Sequence, residues 1–149
     1  MSYILCRIES LLFVLLVLFY GWATYQRNFV WKGDIILWSD VIKKSPAKAR
    51  PYNYLGLAFH KVGDLDDAIQ QYKKSLSLNP FYADAHNNIG ISYFDKGLVD
   101  KAIAHFKHAI EINYAHADAH YNLGIAYGSK GLYDMAYEEM QRGYELSKH

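Results

Sequence analysis

The sequence predicts an all-α protein: an α-solenoid of three helix pairs, preceded by a half-repeat helix and led by an N-terminal transmembrane helix. Three observations carry this expectation. Five columns are identical in three copies at a fixed spacing of thirty-four: Ala49/Ala83/Ala117, Gly56/Gly90/Gly124, Gly63/Gly97/Gly131, Asp66/Asp100/Asp134 and Ala68/Ala102/Ala136. Within each copy the apolar residues recur at helical spacing, as in Leu55 and Phe59, or Ile103, Phe106 and Ile110. The most hydrophobic material lies apart from these copies, in the uncharged stretch 10–26.

The first elements are a tail, 1–9, and the apolar stretch, 10–26. Its thirteen-residue run 11–23 follows Arg7 and fits the hydrophobic region of a secretory signal, with Gly21 and Ala23 at small-residue cleavage positions. The other reading is a retained membrane helix. At about 1.5 Å per residue the stretch reaches roughly 25 Å, near the minimum for a span. Tyr20, Trp22, Tyr25, Phe29 and Trp31 cluster at its C-terminal end, where an aromatic belt meets the interface. Trp22 sits awkwardly beside a cleavage point, so the anchor is the favoured reading. Residues 27–33 then form a short tether. Arg7 and the α-amino group on one side face Arg27 and Lys32 on the other, a count that slightly favours cytoplasmic repeats.

The repeats run 49–82, 83–116 and 117–149. In each, the first helix extends from the Ala column to just before the second Gly column, and the second helix starts near the Asp column, where a carboxylate suits a helix N-terminus. Gly63, Gly97 and Gly131 fall where the chain leaves the first helix and must turn left-handed. Gly56, Gly90 and Gly124 lie inside it, which costs up to about 1 kcal/mol and implies close helix contact there, with the Ala68 column opposite. Phe59/Tyr93/Tyr127 and Tyr72/Phe106/Met140 fill the space between helices. Much of the count of 14 tyrosines is absorbed by such half-buried positions.

These residues bring the unit to a known pattern. Tyr52, Leu55-Gly56, Phe59, Ala68, Tyr72 and Pro80 in the first copy resemble the tetratricopeptide repeat. So do Ile89-Gly90, Tyr93, Ala102, Phe106 and Ala109 in the second, and Leu123-Gly124, Tyr127 and Ala136 in the third. His86 and His120 replace an aromatic, Tyr114 replaces the proline, and Met140 and Gly143 replace a later Phe and Ala. The resemblance implies a concave groove lined by first helices that binds a protein partner. Carried over residue by residue, the groove positions are Arg50, Asn53, Leu57, His60 and Lys61, then Asp84, Asn87, Asn88, Ile91, Phe94 and Asp95, then Asp118, Tyr121, Asn122, Ile125 and Ser129. The chaperone-binding members clamp a carboxylate with Lys, Asn, Asn, Lys and Arg. Those columns here read Asn53, Leu57, Asn88, Asp118 and Asn122, which rejects that ligand. A peptide with some basic character fits the mixed groove better.

The period extends backward. Pro46, Trp38 and Ile42 precede Pro80, Tyr72 and Leu76 by thirty-four, so 34–48 reads as the second helix of a half-repeat capping the array. At the other end the final helix carries Tyr137, Met140 and Tyr144, apolar area that either a partner or a second copy covers or that leaves the last helix to fray.

Other function classes find little support. A net charge of +1 argues against a dedicated nucleic-acid binder. One cysteine, Cys6, allows no internal disulfide framework or thiolate zinc site. The glycines fall on repeat columns rather than in a phosphate loop, and the scattered carboxylates form no acid–base pair, so neither an enzyme nor a cofactor is expected. His105 and His108 share a face, and His116 and His120 are four apart, but outward and inter-helix packing positions account for them and no metal site is expected. The stretch Arg27-Asn28, Trp31, Leu37-Trp38-Ser39-Asp40, Ser45-Pro46, Ala49-Arg50 is similar to the junction between membrane helix and repeats in polytopic glycosyltransferase-like proteins. The leading reading is a single-pass, membrane-tethered interaction scaffold for assembly of a larger complex. Beside it, that resemblance implies the alternative of an accessory or truncated relative of such an enzyme, and it implies repeats on the extracytoplasmic (periplasmic) side. It outweighs the slim charge count.

Overall fold

Three pairs of helices follow one another at the spacing of the sequence repeat. The computed structural model describes residues 15–22 and 32–148. Residues 32–44 form α1, followed by α2 (Ala49–Lys61), α3 (Leu65–Leu78), α4 (Ala83–Asp95), α5 (Val99–Ile112), α6 (Ala117–Ser129) and α7 (Tyr133–Leu146). No strand occurs among the described residues. The first helices α2, α4 and α6 are each 13 residues long, and the second helices α3, α5 and α7 each 14.

The turn between paired helices is set by glycine. Gly63, Gly97 and Gly131 have φ of +87°, +74° and +76°, the left-handed region that side chains with a Cβ avoid. With Gly97 so placed, its N–H donates to the Phe94 carbonyl at 2.8 Å and the Leu98 N–H to Tyr93 at 2.9 Å, closing off the last carbonyls of α4. The second helices start differently from one another. Asp64 caps α3 by accepting from the Asp67 N–H at 3.3 Å, whereas Leu98 and Leu132 precede α5 and α7 without a side-chain cap. The Asp66 column therefore acts as a first-turn acid, not as the cap.

The interior is built where each pair closes. Tyr72 and Phe106 are each 1% exposed, and Ile89, Ala68 and Ala102 are fully buried. Burial pushes the Tyr72 phenol well above its ordinary pKa. One expectation is corrected here. In the first two copies the group nearest the mid-helix glycine is the aromatic ring of the second helix, ahead of the alanine column. A Cβ on Gly56 would lie 2.6 Å from Tyr72 Cε1, and one on Gly90 the same distance from Phe106 Cε1. In the third copy Met140 replaces the ring, and its Cγ is the nearest atom to a Cβ on Gly124, followed by the Ala136 carbonyl at 2.9 Å. A flat ring needs the bare glycine backbone to lie across; a flexible methionine lets the helices meet through main chain.

Contacts define two layers and a curvature. Each first helix touches its own second helix, α4 and α6 also touch the second helix before them, and α2, α4 and α6 touch in sequence. Among the described residues the second helices do not touch one another. First helices closer together than second helices curve the array, with α2, α4 and α6 on the inside.

At the front, Trp38 of α1 stacks on Tyr54 of α2, with ring centroids 4.6 Å apart and planes at 18°. The helix covers 32–44, so it takes in Lys32 and Gly33 from the expected tether and ends before Ser45. Residues 15–22 are helical and exposed. No helix among the described residues is long and apolar enough to cross a membrane. The remainder of the expected membrane segment, 10–14 and 23–26, lies outside the described residues, as do the tail 1–9 and 27–31 of the tether.

Candidate partner-binding groove

The inner face of α2, α4 and α6 holds the expected groove positions, and they divide into two kinds. Asn53 and Asn87 are buried at 3% and 5% exposure, and both are used between repeats. Asn88 Nδ2 donates to Asn53 Oδ1 at 3.1 Å, and Asn122 Nδ2 to Asn87 Oδ1 at 3.0 Å. Two acidic positions are also engaged across repeats. His60 Nε2 meets Asp95 Oδ2 at 2.8 Å, and His116 Nε2 faces Asp84 Oδ1 at 3.2 Å. The second contact has ion-pair distance without hydrogen-bond alignment, since His116 is turned to cap α6, its Nδ1 accepting from the Ala119 N–H at 3.3 Å.

The second kind lines open space, and Asp95 and Asn122 belong to both. Ile91, Phe94, Asp95, Phe106, Asn122 and Ile125 surround a recess of about 230 Å³ between α4 and α6. Ile91, Phe94, Asp95, Asn122 and Ile125 are all expected groove positions, so the structure brings five of them together. A second recess of about 210 Å³ is lined by Ala117, Asp118, Tyr121, Gly143, Tyr144 and Ser147. It joins two expected groove positions to Tyr144, one of the residues expected to self-associate. Leu57 is half-buried and Lys61 exposed on α2; Arg50, also exposed, reaches the Tyr82 hydroxyl. Tyr137 and Tyr144, seven residues apart on one face of α7, are 69% and 62% exposed. Met140 does not share that face, because it packs inward over Gly124.

Histidine contacts were the least visible in the sequence. His86 Nε2 donates to the Pro80 carbonyl at 3.1 Å, which leaves Nδ1 of a neutral ring as the acceptor. His105 Nδ1 therefore donates to His86 Nδ1, at 3.2 Å. His105 is half-buried rather than outward-facing, while His108 is exposed and meets Glu111 at 2.9 Å. Burial lowers the pKa of both rings. That of His105 falls to about 4, with the neighbouring His86, His108 and Lys73 charges adding to the effect. In the third repeat His120 donates to the Tyr114 carbonyl at 3.0 Å, and Glu139 takes the place of His105, 2.6 Å from His120 Nδ1. The signal that could have found these pairs was the column itself: His105 and Glu139 are thirty-four apart, as are His86 and His120. Among the described residues no group of three or more His, Cys, Asp or Glu is arranged to hold a metal ion.

Comparisons with known proteins agree with the repeat geometry. A model described as TPR repeat matches residues 62–97 and 92–131, and one described as tetratricopeptide repeat matches 117–149. Together they span more than half of the chain. A crystal structure of MamA is similar at 29% identity and a TM-score of 0.69, over 76% of this chain and 67% of that one. A second MamA structure gives 28% identity and a TM-score of 0.70, over 85% and 69%. A third, MamA MSR-1 C2, shares the fold at 22% identity and a TM-score of 0.66, over 83% and 71%. No curated protein matches the chain. The fold and these likenesses support a protein-interaction scaffold in general terms. With helix pairs and left-handed glycines repeating three times at thirty-four residues, and ring-on-glycine contacts in the first two copies, the chain belongs to the tetratricopeptide-repeat family.

Proposed function

We propose that the protein is a membrane-tethered scaffold with no chemistry of its own. It holds a peptide or subunit of a partner protein along α2, α4 and α6 while a larger complex assembles. The observation that carries this reading is the recess between α4 and α6, where Ile91, Phe94 and Ile125 offer an apolar floor and Asp95 and Asn122 a polar rim. An apolar side chain seated there leaves its neighbours facing Asp95 and Asp118, which favours a basic segment. The uncharged stretch 10–26 supports the tether, and the junction resemblance at 27–50 supports repeats on the extracytoplasmic side. The exposed Tyr137 and Tyr144 support self-association as a second contact.

The test is crosslinking in native membranes, comparing the wild-type chain with an Ile91→Glu, Ile125→Glu variant. A partner captured by the first and lost from the second supports the groove. Retention of every partner by a folded variant refutes it. Protection of the repeats from protease added after outer-membrane permeabilisation would overturn the topology.

A further inference from the structure

A recess of about 600 Å³ lies outside the groove, where the α3–α4 loop meets the end of α5. Its lining is Pro80, Phe81, His86, His108, Glu111 and Ile112. The size falls within the range of about 300–1,000 Å³ common for ligand sites. None of the six residues was expected to bind anything.

The chain contains its own comparison for this space. Thirty-four residues on, the same columns read Tyr114, Ala115, His120, Arg142, Glu145 and Leu146. There the Tyr114 ring stands edge-on to His120, centroids 5.4 Å apart and planes at 83°. The Arg142 guanidinium lies 5.7 Å from the same ring. The two loops have matching backbone contacts. Asn79 Oδ1 accepts from the Phe81 N–H and Asn113 Oδ1 from the Ala115 N–H, each at 3.1 Å. In both, the column histidine donates Nε2–H to the carbonyl of the first loop residue. The difference is the ring: Pro80 stands where the third repeat has Tyr114.

We infer that this recess binds an aromatic side chain, tyrosine or tryptophan, presented by a partner protein. The His86 imidazole, flanked by the His105 and His108 rings at centroid separations of 5.4 and 5.6 Å, borders the recess as His120 borders Tyr114. His108 takes the position of Arg142 and is fixed by Glu111 at 2.9 Å. Phe81, 79% exposed, and Ile112 supply apolar walls. The Glu111 carboxylate accepts a phenol O–H or indole N–H, which selects these two side chains over phenylalanine.

The experiment titrates the isotope-labelled full chain with a capped Gly-Tyr-Gly peptide, a capped Gly-Ala-Gly peptide serving as control, and follows backbone and imidazole NMR signals. Saturable shifts at Phe81, His86, His108 and Ile112 with the tyrosine peptide alone are expected. Pro80→Tyr supplies the ring from within, in a loop whose third-repeat counterpart already carries tyrosine, and should weaken binding by at least about tenfold. His108→Ala, at an exposed position, should weaken it without unfolding the chain. The inference is overturned if no shifts appear, if they map to Ile91 and Ile125, or if Pro80→Tyr binds as the wild type does. Because Ile125→Glu leaves this recess intact, loss of groove binding and loss of aromatic binding are separable.

Discussion

Asn122 donates its side-chain amide to Asn87 Oδ1 across 3.0 Å, joining α6 to α4, and Asn88 makes the same bond to Asn53 one repeat earlier. The acceptors are buried, so these bonds are rungs between adjacent inner helices and the groove is built upon them. Asn122→Ala leaves the Asn87 carboxamide oxygen buried without this donor. The expected loss is about 1–3 kcal/mol, read as a lower urea midpoint with unchanged slope. Replacing both partners, Asn87→Leu with Asn122→Leu, should recover much of it, since no polar group is then stranded. A single variant that unfolds with the wild type would show that the rung contributes nothing.

Glycine positions inside the first helices should respond in opposite directions. A Cβ at Gly90 meets Phe106 Cε1 at 2.6 Å and Cδ1 at 2.8 Å, and that ring has no room to retreat. Gly90→Ala is therefore expected to destabilise by about 1–3 kcal/mol despite its better helix propensity. Adding Phe106→Leu should relieve part of the clash. At Gly128 the nearest atom is Ala136 Cβ at 3.8 Å, an ordinary contact. Gly128→Ala should stabilise by up to about 1 kcal/mol. Thermal melts of the two variants moving the same way would contradict the ring-on-glycine packing.

Columns at a fixed period reveal where helices start, stop and face inward, because each is a local demand: a left-handed turn at Gly97, a small residue at Ala102, an apolar stripe. They carried the fold, and the family resemblance built on them implied α2, α4 and α6 as the inner face. What they could not carry was the use of a polar side chain. Asn88 and Asp95 occupy equally plausible groove positions in sequence. Yet Asn88 is spent on Asn53, while Asp95 pairs with His60 and still borders the recess. That outcome depends on how far neighbouring repeats rotate, a tertiary quantity. The column does place Met140 between the helices with Tyr72 and Phe106, and it turns inward over Gly124. Its second assignment, beside Tyr137 and Tyr144 on an exposed surface, came from the apolar count of the last helix and not from the period.

The charged rungs on the outer edge should matter much less than the asparagines. Lys96 pairs with Asp66 of the preceding repeat, and Lys130 with Asp100. The repetition looks structural, but the Asp66 and Asp100 side chains are 85% and 84% exposed, so solvent screens the attraction. Lys96→Ala should cost less than about 1 kcal/mol, and less still in high salt. Even the pair Lys96→Ala, Lys130→Ala is expected to shift the urea midpoint less than Asn122→Ala alone. The reverse ranking would mean that edge charges, not buried amides, hold the repeats together.

The His86–His105 contact predicts acid sensitivity of the second repeat. Burial is the main cause that depresses both pKa values, and for His105 the folded value is about 4. A depressed base binds protons more readily unfolded than folded. Its contribution is thus complete above the unfolded value of about 6.5 and is lost as pH falls toward 4. Partial exposure limits the effect to the order of 1 kcal/mol by pH 5. Melting temperature should therefore fall between pH 7 and pH 5 at constant ionic strength. His105→Glu copies the third repeat, where Glu139 faces His120, and removes the ring whose protonation is most strongly opposed. The decline between pH 7 and pH 5 should shrink in that variant. An unchanged decline would assign the acid sensitivity to other groups and leave the imidazole pair without a part in it.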